Sequence, residues 1–246
     1  PYEDDWLIWP VDGYGNQEIV RSFIAQNKPD ILWFMTDPRF YTWLWEIENE
    51  IRAAVPMVYY HVWDNYPVPT FNKQWYDSND VIVTISKVTS DIVKQVSPEV
   101  EEHYLPHVVN MDIFRKIGGP ELMQFKKEAF RHVENIEDRT VFFWSNRNAR
   151  RKQSGSVIWW FKEFLNRVGH DQAILLMHTE PDDPHGQDLM AIIQHLGLTN
   201  GEVMFSTQKV PPEKLSMIYN CVDCTINIAD AEGFGLSTFE SLACET

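Results

Sequence analysis

Apolar positions in this chain fall in short runs, and the stretches between them carry apolar residues at helical spacing. "DILWFMT" reads as a short buried strand, and "MVYYHVW" and "DVIVTIS" as two more. "NQEIVRSFIAQN" predicts a helix ending before Pro29. "YTWLWEIENEIRAAVP" has helical spacing, and "KVTSDIVKQV" is a helix with Thr and Ser near its start. "EEHYLPHVVNMDIF" gives a short strand entering a proline-containing loop.

The stretch 115–138 holds a Gly-Gly-Pro breaker and then a charged helix of low apolar content, and it reads as a connection between two halves. Beyond it the rhythm restarts. Strands "TVFFWSN", "AILLMHT", "VMFST" and "CTINIA" alternate with helices "SVIWWFKEFLNRV", "GQDLMAIIQHLGL" and "PPEKLSMIYNC". Strictly alternating strands and helices predict an α/β chain built of βαβ units around parallel sheets. Each half predicts a Rossmann-like, doubly wound domain, 1–114 and 139–246, with 115–138 between them. Ligands of such sheets gather at the carboxyl ends of the strands.

Composition narrows the function classes. The 246 residues are 44% hydrophobic with a net charge of −15, which excludes broad binding of nucleic acid, an interaction that rests on a positive surface. The longest apolar runs fall short of the roughly 18 to 20 residues that span a bilayer, and the cytoplasm is the default location. Three cysteines, Cys221, Cys224 and Cys244, are odd in number and lie in apolar surroundings, so they read as reduced thiols, and the one C-x-x-C has no second pair at a zinc-finger spacing to suggest a metal.

Two strand-to-helix loops carry unusual chemistry. In "AEGFGLSTFE", Gly233 and Gly235 let the backbone turn tightly and approach a ligand, and Ser237 to Glu240 open a helix whose free amides favour an anion. Glu240, one turn inside, would repel a phosphate but can accept from two vicinal hydroxyls such as those of a ribose. Ser237 and Glu240 also have the spacing of a capping box, which by itself explains both residues. In "NRNARRKQ", Arg147 and Lys152 are placed to neutralise a diphosphate, the arginine as a fork and the lysine as a point charge. A solvated basic loop is the other reading.

The pairing of "EGFGLSTFESLAC" with "NRNARRK", preceded by "YLPHVVNMDIF", resembles the retaining glycosyltransferases of the GT-B fold, specifically the large family 4 type. That family carries two glutamates separated by seven residues, as Glu232 and Glu240 are here, and an Arg and Lys pair five apart. The resemblance implies a GT-B fold of two Rossmann-like domains, the first on the acceptor side and the second binding a nucleotide sugar. It implies that Arg147 and Lys152 bind the donor diphosphate and that Glu232 faces the donor sugar. The amides around Phe234, Gly235, Leu236 and Ser237 would hold the distal phosphate, and Glu240 the ribose. His61 in "YYHVWDN" resembles a family histidine near the donor sugar and acceptor; a lone histidine at a strand end is equally a structural residue. Val108 and Asn110 depart from the family's glycine and aspartate after Pro-His. The family's first strand and glycine-rich loop have no counterpart before Pro1, nor the end of its second domain after Thr246. The resemblance therefore implies the middle of a longer enzyme or a diverged minimal version of one.

The implied activity is transfer of a sugar from a nucleoside diphosphate sugar to an acceptor hydroxyl with retention of configuration, by a front-face mechanism and without metal or cofactor. "PDDPHGQD" carries carboxylates but reads as a polar loop, not a metal site. The alternative is a non-catalytic sugar or nucleotide-sugar binding module, to which ten tryptophans lend support through stacking, although Trp33, Trp43 and Trp45 read first as core residues. An epimerase or a phosphorylase is a further possibility within the fold. The base is expected near the ends of "VMFSTQKV" and "MHTEP"; a glycan, protein or lipid-linked acceptor all fit, and no oligomeric state is implied.

Overall fold

The computed structural model describes residues 7–246, so the first six residues of the expected 1–114 domain lie outside the described residues. Contacts divide the chain into two compact units, with the division between His107 and Val108.

In the first unit, strands β1 (Leu32–Met35), β2 (Met57–His61), β3 (Val81–Thr84) and β4 (Glu101–Tyr104) form one parallel sheet in the order β1-β2-β3-β4. Helix α1 (Gln17–Asn27) precedes β1, starts at Asn16, whose side chain accepts from the Ile19 amide, and ends in a left-handed Lys28 before Pro29. The predicted long helix at 41–56 is two short ones, α2 (Thr42–Trp45) and α3 (Glu48–Arg52). The aromatic side chains decide this break. Trp45 is buried edge-on against Phe34 and Tyr59, stacks on Trp75, and donates from Nε1 to Asn79 at 3.1 Å. Trp43 donates to the Phe40 carbonyl at 3.1 Å. Aromatics favour helix weakly, and these tertiary contacts override the spacing. Helices α4 (Lys73–Asp77) and α5 (Lys87–Val96) flank β3, the latter capped by Ser86.

All five residues of β2 are buried, as expected of a strand covered on both faces. The expectation for β1 needs correction: as an edge strand of this sheet it buries only Phe34, and Trp33 and Met35 are about half exposed.

His61, the last residue of β2, is 0% exposed. Tyr59 donates its hydroxyl to the Thr36 carbonyl at 2.6 Å, so at the 2.9 Å contact it accepts the Nδ1 proton of His61. The Nε2 atom is then an acceptor, and Tyr76 donates to it at 2.6 Å while itself accepting from Asn72 at 3.2 Å. The chain of bonds fixes a neutral imidazole, and burial pushes its pKa down to about 3.

In the second unit, β5 (Thr140–Ser145), β6 (Ala173–His178), β7 (Val203–Ser206) and β8 (Cys224–Thr225) form a parallel sheet in the order β7-β6-β5-β8. Alternation along the strands builds a core on each face. Phe142, Trp144, Leu175 and Met177 pack with Val157, Ile158, Phe161 and Leu165 of α7 (Ser154–Val168) and with Leu189 and Ile193 of α8 (Leu189–Leu196). Val141, Phe143 and Leu176 face the other way, toward Ile218, Tyr219 and Cys221 of α9 (Pro212–Cys221). The stretch 115–138 joins this second core: α6 (Pro120–Ala129) contributes Leu122 and Phe125 beside it, and Phe130 is buried within it. Helix α10 (Leu236–Ala243) follows β8. The three cysteines are free thiols, Cys221 and Cys244 buried and Cys224 exposed. Among the described residues, no helix is long and apolar enough to cross a membrane.

The His61 network predicts a pH dependence. A depressed folded-state pKa means the unfolded chain binds the proton first, so stability is present above about pH 6.5 and is lost as pH falls toward about 3. The slope from this one group is about 1.4 kcal/mol per pH unit. Urea unfolding across this range should show a shallower slope for His61→Gln than for the wild type, by about one proton; parallel profiles would sink the assignment.

Candidate functional site

In a parallel sheet every strand delivers its following loop to the same edge, so the loops after β5, β6 and β8 are neighbours although far apart in sequence. The β5–α7 loop runs through a single 3₁₀ turn at Arg150–Lys152 and then a left-handed Gln153. This turn directs Lys152 inward, where its side chain is 9% exposed, against the Glu232 carboxylate of the β8–α10 loop. An ammonium this far from water needs an opposite charge. Arg151 lies 3.8 Å from the other oxygen of Glu232 and donates to the Ala231 carbonyl at 2.6 Å. The Asp230 amide donates to the Arg151 carbonyl at 2.8 Å, and Gln153 donates to both Asp230 carboxylate oxygens at 3.0 and 2.9 Å. The two loops singled out by sequence are thus clasped along their length.

The β8–α10 loop is braced by Asn227, whose amide group donates to Thr238 at 2.9 Å and whose carbonyl oxygen accepts from the Ala229 amide at 3.1 Å. Gly235, at φ +84°, is the N-cap of α10, a conformation in which a Cβ would be strained. Leu236 and Ser237 occupy the first turn, where amides lack intrahelical acceptors. Phe234 stacks on Phe239 at 4.6 Å, closing the turn from one side.

The capping-box explanation of Ser237 and Glu240 does not hold. The helix begins one residue before Ser237, and no side chain caps it. Glu240 instead accepts from the Tyr219 hydroxyl of α9 at 3.0 Å and lies partly buried. Burial raises its pKa, against the opposing pull of the Tyr219 bond.

Arg147 is placed differently from Lys152. Its side chain is 62% exposed and makes a fork with Asp183 of the β6–α8 loop, Nε to Oδ2 at 2.6 Å and Nη2 to Oδ1 at 3.1 Å. The Arg147 guanidinium, followed by the His185 amide, holds the Asp183 carboxyl below the usual carboxylate range. Sequence reading assigned "PDDPHGQD" no role, and it missed Asn148, which is fully buried and organises this loop. Asn148 donates to the carbonyls of Pro181 and Gln187 at 3.2 and 2.7 Å. It accepts from Ser154 at 2.6 Å. A Cβ on Gly186 would collide with the Asn148 backbone oxygen. The available signal was a neutral, bidentate amide directly after Arg147 at a strand end. At the same edge, His178 and Ser206, which end β6 and β7 in register, share a 2.9 Å hydrogen bond, and burial lowers the His178 pKa.

Of the expected site residues, the structure brings together Lys152, Glu232 and the Phe234–Ser237 turn on one clasp, with Glu240 in the helix that the turn opens. Arg147 belongs to the same β5–α7 loop but is bound to Asp183. His61 lies in the other unit with both ring nitrogens engaged and no exposed surface. A direct contact between His61 and a ligand would require Tyr59 or Tyr76 to move.

No protein-family model and no curated protein matches the sequence. Solved structures do. The chain is similar to sucrose-phosphate synthase from Thermosynechococcus elongatus, with a TM-score of 0.71 at 15% identity over 93% of this chain and 57% of that one. It is similar to an α,α-trehalose-phosphate synthase (UDP-forming) from Burkholderia vietnamiensis, with a TM-score of 0.74 at 11% identity over 92% of this chain and 58% of that one. A glycosyltransferase from Rickettsia africae gives a TM-score of 0.70 at 17% identity over 93% of this chain and 59% of that one. The fold is the α/β GT-B type, with two Rossmann-like parallel-sheet units. The chain spans less than two thirds of the length of each of these neighbours.

The raised pKa of Glu240 predicts a stability gain from its removal. The folded state holds this proton more tightly than the unfolded chain, so stability falls as pH rises above the ordinary carboxylate value of 4.5. Glu240→Gln keeps an acceptor for Tyr219 without a charge. It should melt at a higher temperature than the wild type near about pH 7, with the difference closing near about pH 4; scanning calorimetry at both values checks this.

Proposed function

We propose that this chain carries the donor site of a glycosyltransferase that moves a sugar from a nucleoside diphosphate sugar to an acceptor hydroxyl. The observation that carries the reading is the clasp between the β5–α7 and β8–α10 loops at the carboxyl edge of one parallel sheet. It sets a lysine, a carboxylate and a helix N-terminus beside one another in a fold whose neighbours are described as synthases of sugar phosphates and as a glycosyltransferase.

In this reading the amides of the turn from Phe234 to Ser237 bind the distal phosphate, Lys152 and Arg147 neutralise the diphosphate, and Glu240 accepts from the ribose hydroxyls. Glu232, held on Lys152, faces the donor sugar. The rate would come from stabilising charge that develops on the departing diphosphate. These groups supply that stabilisation without a metal or cofactor, and transfer would proceed with retention, as in the family 4 enzymes that the sequence resembles. The description of one neighbour as UDP-forming makes UDP the first probe. A cytoplasmic location goes with this reading, and the acceptor is a glycan, a protein or a lipid-linked sugar.

One observation favours a non-catalytic nucleotide-sugar binding module instead. His61, which resembles a family histidine near the donor sugar and acceptor, is sequestered in its tyrosine network. Turnover separates the two readings: release or transfer of radiolabelled sugar supports the enzyme, and binding without either supports the module.

Calorimetric titration with UDP, GDP and ADP, with and without magnesium, tests the site itself. One diphosphate should bind independently of magnesium, and both Arg147→Ala and Glu240→Gln should weaken it by about tenfold or more, as expected for lost charged or paired hydrogen bonds. A folded chain that binds none of the three defeats the proposal.

A further inference from the structure

The Arg147 side chain stands on the surface, and a solvated arginine samples many rotamers. Here it does not stand alone. The partner, Asp183, is 11% exposed at its side chain against 62% for Arg147, so the carboxylate is the more sheltered member of the pair. Asp183 is held independently of Arg147. Its Oδ1 accepts from the His185 amide at 2.9 Å, and its carbonyl accepts from the Gly186 amide at 2.8 Å. The loop containing it is pinned at Pro181 and Gln187 by the buried Asn148, the residue that follows Arg147.

The hydrogen-bond geometry of the guanidinium is specific. Nε goes to Asp183 Oδ2, while Nη2 serves both Asp183 Oδ1 and the ring nitrogen Nδ1 of His185 at 2.9 Å. One edge of the fork is therefore used up on the β6–α8 loop, and Nη1 takes no part in these three bonds. Asp183 is ionised across the working pH range because Arg147 and the His185 amide hold its pKa low.

We infer that Asp183 is the positioning residue for Arg147: it fixes the guanidinium by its Nε and Nη2 edge so that Nη1 is presented, already oriented, to the diphosphate of a nucleotide. This rests on the donor-site reading above and assigns a role to a loop with no previous one. Orientation set before binding spares the entropy of ordering the arginine, and a small misplacement of a charged group is costly. The competing role for the same contact is a latch, in which Asp183 occupies Arg147 until an anion displaces it. The two roles predict opposite signs when the carboxylate is lost.

The test is calorimetry on whichever of UDP, GDP and ADP binds the wild-type chain, together with its monophosphate, using Asp183→Asn, Asp183→Glu, Arg147→Ala and the Asp183→Asn/Arg147→Ala double variant. Asp183→Asn should weaken the diphosphate about tenfold and leave the monophosphate within about twofold, because only the diphosphate reaches Arg147. Asp183→Glu keeps the charge but shifts the guanidinium by one methylene, and it should lose diphosphate affinity as well. The double variant should bind no more weakly than Arg147→Ala alone, since a positioning residue has nothing left to position. Diphosphate affinity equal to or above wild type in Asp183→Asn, or losses that add in the double variant, overturns the inference. Equal loss for monophosphate and diphosphate also overturns it, because that marks a general disturbance of the loop. A wild-type chain that binds no diphosphate brings down the donor-site reading itself and this inference with it, an outcome distinct from the others.

Discussion

A lysine ammonium nearly shut off from water is the constraint on which the second unit's upper edge depends. Lys152 is buried against Glu232, eighty residues later in the chain, which supplies a counter-charge. The pair crosses between two loops that no regular backbone ladder joins, and the bonds around it follow its lead: Arg151 to the Ala231 carbonyl, Gln153 to Asp230, and the Asp230 amide back to Arg151. Together with the pair, these bonds hold the β8–α10 loop against the β5–α7 turn. The strand below it, β8, is only two residues long and, among the described residues, pairs with β5 alone. Side chains hold the edge that the strand is too short to hold.

A second constraint sets how far the clasp reaches. Asn148 spends its four hydrogen-bonding positions on Pro181, Gln187 and Ser154, so the β6–α8 loop is drawn beside the β5–α7 loop from the opposite side to the β8–α10 loop. Three strand ends thereby share one floor. Three of the four cations of "NRNARRK" divide between the two neighbours: Arg147 pairs on the β6 side, while Arg151 and Lys152 pair on the β8 side. A cluster that looks uniform in sequence is two separate charge pairings in space.

The architecture was legible because each strand and helix carries its own period. Residues 140–145 alternate, with Val141 and Phe143 entering one core and Phe142 and Trp144 the other. The doubly wound arrangement follows from that pattern and from the alternation of elements. The failures came where long-range contacts decide local structure. Residues 42–52 have helical spacing, yet the packing of Trp45 against Tyr59 and Trp75 breaks the helix in two. The clasp was legible as two loops with unusual residues at strand ends, but which cation meets which carboxylate was not. Glu232, which pairs with Lys152, is eighty residues away, and the partner of Arg147 lay in a stretch read as a polar loop. His61 illustrates the same limit, since its meaning depends on Tyr59 and Tyr76, whose hydroxyls no spacing rule would aim at one ring.

Glu240 is where the competing explanations of one residue can be ranked. A carboxylate serving as a helix cap would be stabilised by the amides it meets, and its pKa would fall. Here the helix starts at Leu236 with no side-chain cap, and the pKa rises because the group is partly buried with one hydroxyl for company. Such a residue weakens the fold at neutral pH relative to a neutral isostere. Tyr219 offers a single hydrogen, whereas an ionised carboxylate has about four acceptor positions. The residue is partly buried and stands one turn inside a helix whose first turn favours anions. A pair of hydroxyls supplied by a ligand would use the remaining positions without adding charge, which is the physical content of placing a ribose there.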